Sequence, residues 1–431
     1  MFLIKLRIKD IRIFRVEFIM SIAVISQTKR PFYEKRILSM LSKMDKGTMN
    51  ITMPGGEQIQ LGDGSGNVVA NVTVNKSSFF KRCVLYGDIG FGEAYVDGDW
   101  DTDSITNVIK WFLINVDNAP TASGSSARWL VLNVFKSFNV VSHSKRDNNL
   151  KGSRKNISAH YDLNNDFFAT FLDSTMTYSG AYFKEEGMTL EQAQLMKYDR
   201  LCKQLKLKPD DHVLEIGSGW GGNAIYMAKN YGCKVTSITI SEEQYKLAKE
   251  KVVKENLEHK VNIVIQDYRK LEGQFDKIVS VEMLEAVGAN YYETYFRKCH
   301  ELLKSNGILA LQVITCPDSR FERLKNGVDW IQKHIFPGSL LPSVAAINKA
   351  INDTGDLTLV DLKDLGLDYA KTLAMWRDQF NANLPQISKL GFESEFVRKW
   401  NYYLGYCEAA FIMRNINVLQ MVYSRPNNIV R

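Results

Sequence analysis

The sequence predicts an α/β protein whose main domain is built on a doubly wound parallel sheet. From residue 157 onward, short apolar runs alternate with amphipathic segments; the runs are VLEIG, KVTSITI, VNIVIQD, FDKIVSVEM and GILALQVIT. Such alternation is typical of parallel strands joined by helices that cover both faces of the sheet. The first run also enters a glycine-rich turn that leads into a helical pattern, which is a common ligand-binding corner of these sheets.

That glycine turn lies within residues 212–244, HVLEIGSGWGGNAIYMAKNYGCKVTSITISEEQ. Its bare backbone N–H groups suit a nucleotide-like ligand, but the glycines alone also satisfy the dinucleotide pattern G-x-G-x-x-G. Two details favour S-adenosylmethionine (SAM). Glu215 precedes the first glycine by two residues, where SAM methyltransferases carry an acid. The second strand ends Thr239-Ile240-Ser241, without the carboxylate that NAD enzymes use on the ribose. We interpret the turn as the SAM site of a class I, Rossmann-like methyltransferase.

Composition places the chain among ordinary globular proteins, with 431 residues, 45% hydrophobic and 24% charged. The length allows two domains or more. A formal net charge of +7 suits an anionic partner such as a phospholipid surface; it would also suit nucleic acid, or merely reflect solvated lysines. The six cysteines are scattered without a C-x-x-C pair. This argues against a disulfide framework or a metal site and favours a reducing compartment.

The pattern divides the chain into four parts. Residues 1–30 form an apolar but charge-studded extension with no uncharged window of ~20 residues, so a membrane span is not expected. A membrane-surface segment and an unstructured extension both stay open. Residues 31–120 read as a small α+β domain, with a hairpin in ITMPGGEQIQLG, a strand in NVVANVTVN and a helix opened by Ser104. A basic linker, 121–156, precedes the methyltransferase domain, 157–431, whose region after Thr315 could form a helical cap.

Several motifs in order carry a family resemblance. They include HYDLNNDFFATFLDSTMTYSGAYF, MTLEQAQLMKYDRLCKQLKLKP, VEMLEAVGANYYETYF, KHIFPGSLLPS and LDYAKTLAMWRDQF. With the glycine turn, they make residues 157–431 resemble the cyclopropane-fatty-acyl-phospholipid synthases, a SAM-dependent family that includes the mycolic acid cyclopropane synthases. IGFGEAYVDGDWD is similar to the smaller N-terminal domain of longer members. The run MLEAVG with a downstream LQ looks like the plant-type branch.

The resemblance implies a set of residues that line the SAM pocket. Besides Glu215 they are Tyr178, Ser179, Gly217, Gly219, Gly221, Thr239, Ile240, Gln244, Asp267 and Tyr268. The residues themselves agree, since Asp267 ends a strand at the sheet edge where ligands bind. Thr239 and Gln244 supply neutral polar groups suited to ribose hydroxyls or the methionine end. An alternative is that they form a helix entry, with Ser241 as N-cap and Gln244 in the capping-box position.

The resemblance also implies the reaction and its base. The family transfers a methylene group from SAM to the cis double bond of an unsaturated phospholipid acyl chain, and the base looks to be a bicarbonate held by cysteine, glutamate, histidine and tyrosine. Glu285 and Tyr369 match two of these positions. Gly180 replaces the cysteine and Gln312 the histidine. Gln312 can still donate a hydrogen bond to bicarbonate, although it cannot become cationic.

Further expectations concern the substrate and its surroundings. Cys407 matches another family cysteine, although a small buried hydrophobe is the alternative. Aromatic side chains that could line the cleft, or be ordinary core, are Tyr178, Trp220, Tyr268, Phe336 and Tyr369. We expect a cytoplasmic enzyme peripheral to the membrane that binds phospholipid and no nucleic acid; a homodimer is left open. Two other functions are kept: a C-methyltransferase giving methylene- or methyl-branched chains, and a catalytically silent lipid- or SAM-binding protein.

Overall fold

The structure, a computed structural model, describes residues 30–115 and 164–429. The predicted extension, Arg30 apart, and the predicted linker 121–156 lie outside the described residues. The chain divides into two compact units. Of the described residues, 30–115 and 392–413 belong to the first unit, and 164–391 and 414–429 belong to the second.

The strands in chain order are β1 (Thr48–Thr52), β2 (Gln58–Leu61), β3 (Val69–Val74), β4 (Trp100–Asp101), β5 (His212–Ile216), β6 (Lys234–Thr239), β7 (Val261–Ile265), β8 (Phe275–Val281), β9 (Leu303–Thr315), β10 (Thr358–Asp364) and β11 (Asn417–Ser424). The α-helices are α1 (Phe32–Leu41), α2 (Ser78–Val96), α3 (Ile105–Ile114), α4 (Asn165–Ala169), α5 (Leu190–Leu205), α6 (Gly222–Tyr231), α7 (Glu242–Lys254), α8 (Tyr292–Leu302), α9 (Asp318–Lys325), α10 (Trp330–His334), α11 (Val344–Thr354), α12 (Gly366–Ala382), α13 (Leu384–Lys389) and α14 (Ser394–Ile412).

The first unit holds a four-stranded sheet in the order β2-β1-β3-β4. The predicted hairpin is confirmed, because β1 and β2 pair antiparallel, and β3 then lies parallel to β1. Residues of β3 are alternately exposed and buried, as expected for a sheet with one face on the core. The predicted start of α3 is also confirmed: the Ser104 side chain accepts a hydrogen bond from the backbone N–H of Asn107.

Helix α14 belongs to the first unit, although the sequence assigned residues 157–431 to one domain. Arg398 explains much of this placement, since its guanidinium donates to the carbonyls of Tyr95 and Trp100 at 2.6 and 2.9 Å. The Thr106 hydroxyl donates to the buried Glu408 carboxylate at 2.7 Å. Both contacts join residues about three hundred positions apart, which local sequence patterns do not reveal.

The second unit is built on a seven-stranded sheet in the order β10-β11-β9-β8-β5-β6-β7. The five parallel strands β5 to β9 are those predicted. The sheet is nevertheless mixed, because β11 pairs antiparallel with both β9 and β10. The sequence missed these two strands: the region after residue 315 was expected to be helical. That region does contain α9 to α13, but β11 is an almost wholly buried apolar strand.

Helices cover both faces of this sheet, as predicted. Neighbouring residues on one strand enter different cores: Leu214 and Ile278 pack with α8 and α11, whereas Val213 and Val279 pack with α5, α6 and α7. This alternation is the period-two signature of a strand buried on both sides. Successive parallel strands run outward in opposite directions from the β5–β8 pair. Their carboxyl ends therefore form the crevice in which such sheets bind ligands.

The close approach of α14 to α3 gives a stability prediction. A Cβ added at Gly405 would lie 2.9 Å from Cβ and Cγ2 of Ile105. We expect Gly405→Val to lower the free energy of unfolding by ~1–3 kcal/mol through overpacking. Urea unfolding followed by tryptophan fluorescence measures this change. Gly55→Ala is the control, because a Cβ there meets nothing within 4 Å; equal midpoints for both variants would contradict the prediction.

Candidate active site

The glycine turn follows β5 and opens α6. Gly217, Gly219 and Gly221 all have positive φ, at 97°, 48° and 85°, so side chains at these positions would be strained. A Cβ at Gly219 would meet nothing within 4 Å. The turn therefore leaves open space above its backbone, as a site for the adenosyl and methionine parts of SAM requires.

Glu215 lies beneath this turn and is buried. Its carboxyl accepts hydrogen bonds from the Ser237 hydroxyl and from Asn223 Nδ2, the latter at 2.8 Å. Burial raises its pKa to about 7. Both oxygens are thus bonded to β6 and α6, and we interpret Glu215 as fixing the shape of the turn.

The N-terminus of α7 contains both features that the sequence suggested, a helix cap at Ser241 and a polar pair of Thr239 and Gln244. Ser241 caps the helix, accepting from the Gln244 backbone N–H at 3.3 Å. The Gln244 side chain does not complete a capping box; its Oε1 accepts from the Thr239 hydroxyl at 2.8 Å. Thr239 and Gln244 are buried, and Ile240 is half-buried. Their polar groups therefore lie together at the carboxyl end of β6.

Asp267 stands beyond the carboxyl end of β7, as predicted, but its carboxylate is bound to Arg269. The guanidinium contacts its two oxygens at 2.8 and 2.6 Å. Burial alone would raise the pKa of Asp267, yet these hydrogen bonds hold it below the ordinary value. Tyr268 beside it is half-buried and packs edge-to-face on Tyr295, with 5.2 Å between ring centroids. Asp267 and Arg269 would meet a ligand as a pair.

A continuous row of aromatic rings connects the glycine turn with Tyr369. The centroid distances along it are 5.0, 5.3, 5.2 and 6.0 Å. Its members in order are Trp220, Phe168, Tyr178, Trp376 and Tyr369. Three of the five predicted aromatic candidates thus belong to one row of rings. Phe336 follows α10 and is half-buried.

Two glutamates occupy the segment after β8, close to the turn. A Cβ at Gly217 would lie 3.3 Å from Met283 Cγ, so Met283, which directly follows Glu282, packs on the first glycine of the turn. Glu285 is buried; its Oε1 accepts from the Ile314 N–H at 2.5 Å, and its Oε2 has no hydrogen-bond partner among the described residues. Burial, and next the neighbouring Glu282, raise the pKa of Glu285 to about 8.

Sequence reasoning missed Glu282. Its Oε1 accepts hydrogen bonds from the Gly180 N–H and from Gln312 Nε2, both at 2.8 Å. The Tyr369 hydroxyl also bonds to this carboxyl. The rule that singled out Asp267, a carboxylate just beyond a parallel strand, applies equally to Glu282 and would have found it.

Both the nitrogen and the oxygen of the Gln312 side-chain amide have hydrogen-bond partners. It lies in β9 between Val281 of β8 and Gln420 of β11. Besides Glu282, its Nε2 donates to the Gly180 carbonyl at 2.8 Å, and its Oε1 accepts from Gln420 Nε2 at 2.9 Å. Gln420 in turn accepts from Arg200 at 2.7 Å. The amide thus links the glutamate to a buried polar chain.

Gly180 packs directly against the ring of Tyr369. A Cβ at this position would lie 2.9 Å from Tyr369 Cγ and 3.0 Å from Cδ1. Gly180 lies in a loop and Tyr369 lies on α12 of the same unit, so no local sequence pattern links them. The space that a cysteine side chain would need at position 180 is filled by the aromatic ring.

Lys197 is a second residue that the sequence analysis missed. Its side chain is fully buried, and Nζ donates to the Ser179 hydroxyl at 2.6 Å. Burial lowers its pKa to about 7, although Glu282 opposes this change. Lys197 lies on the buried face of α5 with Ala193 and Leu201; a lysine at such a position in a helical pattern was the available signal.

Cys407, the remaining predicted catalytic residue, belongs to a different unit of the chain. It lies on α14 in the first unit and is half-buried, whereas the glycine turn, the glutamates and Tyr369 belong to the second unit.

The fold and this site define a SAM-dependent methyltransferase. The family model described as "Mycolic acid cyclopropane synthetase" matches residues 148–421, and the chain belongs to that family. It is 38% identical to a tuberculostearic acid methyltransferase from Mycobacterium tuberculosis, over 80% of this chain and 81% of that one. It is 39% identical to the cyclopropane-fatty-acyl-phospholipid synthase of Escherichia coli, over 84% and 89%.

Solved structures agree with this assignment. A mycolic acid cyclopropane synthase complexed with SAH and CTAB has a TM-score of 0.58 and 30% identity, and covers 63% of this chain and 98% of its own. A cyclopropane synthase from Mycobacterium tuberculosis has a TM-score of 0.58 and 28% identity over the same shares.

The contact between Gly180 and Tyr369 predicts a coupled pair. We expect Gly180→Ala to lower the free energy of unfolding by ~1–3 kcal/mol, because the added methyl group would clash with ring atoms of Tyr369. In a Tyr369→Ala background the same change should cost almost nothing, since Cγ is absent. A double-mutant cycle measured by urea unfolding gives this coupling energy, and additive effects would contradict the contact.

Glu285 predicts a pH-dependent stability. Its folded pKa of about 8 exceeds the ordinary value of 4.5, so the folded state binds the extra proton and stability declines as pH rises through this window. Glu285→Gln, which stays neutral, should gain stability relative to the unmodified protein between about pH 5 and about pH 8.5. Urea unfolding at both pH values measures the gain. The exposed Glu272→Gln is the matched control; an equal change in both variants would contradict the prediction.

Proposed function

We propose that this enzyme transfers a methylene group from SAM to the cis double bond of an unsaturated phospholipid acyl chain, forming a cyclopropane fatty acid. One observation carries the proposal: a pair of buried carboxyl groups adjoins the glycine turn through Met283. A proton acceptor thus lies beside the expected methyl donor. The name of the similar Escherichia coli protein supports the same reaction.

The chemistry explains why such a site is needed. When bound, SAM supplies an electrophilic methyl group; the alkene π electrons form the new C–C bond as the S–C bond breaks onto sulfur, leaving SAH. The acyl chain is then a carbocation. Loss of one proton from the new methyl group lets its C–H electrons close the three-membered ring, so a positioned base must take that proton.

The described residues can meet these demands. The aromatic row from Trp220 to Tyr369 can exclude water and present π faces to positive charge. Glu285, whose Oε2 has no hydrogen-bond partner within the part of the chain that the structure describes, can contact the reacting region. Because its folded pKa is about 8, it is mainly neutral near pH 7 and can donate a hydrogen bond there.

The residues fit a bicarbonate poorly. The amide of Gln312 already has partners for both its oxygen and its nitrogen, the Tyr369 ring fills the space beside Gly180, and the Tyr369 hydroxyl bonds to Glu282. A further anion among these groups would also meet the Glu282 carboxylate. The bicarbonate that the family resemblance implies therefore has no role in the proposed reaction.

Phospholipid as the substrate implies contact with a membrane surface. The net charge of +7 favours an anionic lipid surface. Within residues 30–115 and 164–429, every helix is too short or too polar to span a bilayer. We therefore propose peripheral association, in which the acyl chain leaves the membrane to enter the cleft.

A second candidate is C-methylation of the same chains without ring closure. The substituted positions Gly180 and Gln312 favour it, because a displaced base could remove a different proton from the cation. The similarity to a protein named tuberculostearic acid methyltransferase points the same way. NMR of the product distinguishes the two, since high-field cyclopropyl protons appear only after ring closure.

The test uses purified protein, SAM and vesicles of monounsaturated phosphatidylglycerol. We expect lipid-dependent formation of SAH and an acyl mass gain of one methylene group. Glu285→Ala, which removes the hydrogen-bonding carboxyl group, should lower turnover by roughly tenfold or more while SAM binding, measured by calorimetry, is kept. Glu272→Gln is the control for loss of a carboxyl. No mass gain would reject the proposal, and no SAH formation would favour the catalytically silent alternative.

A further inference from the structure

Glu282 lies at the centre of a cluster of hydrogen-bond donors from three different segments. The donors are the Gly180 N–H, the Gln312 amide and the Tyr369 hydroxyl, with the buried Lys197 ammonium acting at longer range. Groups of this kind stabilise the ionised form of a carboxyl. The reaction proposed above assigns this carboxylate no function.

The two neighbouring carboxyl groups have unequal surroundings. Glu285 has one backbone hydrogen bond and one oxygen without a partner among the described residues, whereas Glu282 collects three donors. Burial raises the pKa of both, but donors and Lys197 oppose the rise at Glu282. When two close carboxyls share one negative charge, it resides on the better solvated member. That member is Glu282, and Glu285 is its neutral partner.

The backbone of Glu282 also has an unusual conformation. Glu282 has φ of +49°, a left-handed conformation that is strained for any residue other than glycine. Its N–H donates to the Gln312 carbonyl at 2.7 Å, which continues the pairing of β8 with β9. The strained residue is thus held by the same glutamine at its backbone and at its side chain.

We propose that Glu282 is the proton acceptor of the reaction and takes the place that the family resemblance gives to bicarbonate. The inference rests on the proposed function. In the step, the C–H bond of the new methyl group breaks, its electrons close the ring, and the proton forms an O–H bond on Glu282. The proton leaves to solvent before the next turnover, so no added co-reactant is consumed.

The first experiment measures the unmodified enzyme in buffer purged of carbon dioxide, with and without added bicarbonate. SAH formation and the acyl mass gain are followed on the same vesicles. We expect equal turnover in both buffers. Activity that falls on purging and returns with bicarbonate would overturn the role of Glu282 while leaving the proposed function intact. Absence of the mass gain in both buffers would instead reject the proposed function.

The second experiment replaces the carboxylate. Glu282→Gln should lower kcat by roughly 100-fold or more, with SAM affinity unchanged by calorimetry. Glu282→Gly suits the left-handed backbone and leaves space for a small anion. Added formate or bicarbonate should therefore raise the turnover of this variant at least tenfold. A merely structural role would not respond to small anions. Glu282→Gln with near-normal kcat would overturn the inference, and Glu272→Gln is the control.

Discussion

The burial of two carboxyl groups side by side is the constraint on which the catalytic unit depends. A buried carboxylate is costly unless donors compensate it. Here the compensation comes from a loop, from β9, from α5 and from α12, so these segments are fixed relative to β8. Gln312 is central because it bonds the backbone and the side chain of Glu282 at once. The same polar chain continues through Gln420 to Arg200 and its ion pair with Asp361.

The sheet explains why the polar cluster meets the glycine turn. Parallel strands end at one edge, and the order of strands reverses between β5 and β8. The turn after β5 and the glutamates after β8 are therefore neighbours, although some sixty residues separate them in sequence. Met283 fills the short distance between them. Strand order thus brings the SAM-binding turn close to the proposed proton acceptor.

The sequence predicted the parallel strands well because each is a short apolar run bounded by a clear turn or helix. It predicted Glu285, Tyr369 and the glycines through motifs, and the structure places these in one unit. It missed β11 because an apolar run among aromatic helices has no distinctive period. It missed Lys197 and Glu282 because their importance comes from partners distant in sequence. The exclusion of a cysteine-sized side chain at Gly180 depends on a ring contributed by α12, which no local pattern contains.

Helix α14 completes the first unit from near the C-terminal part of the chain. Its arginine and glutamate satisfy carbonyl and hydroxyl groups of residues 95–106. During synthesis on the ribosome, those N-terminal segments emerge long before the helix that covers them. Until residues 392–413 have been translated, these segments lack that cover and expose apolar surface, a state that favours chaperone binding. Folding of the small N-terminal unit thus follows the synthesis of most of the catalytic one.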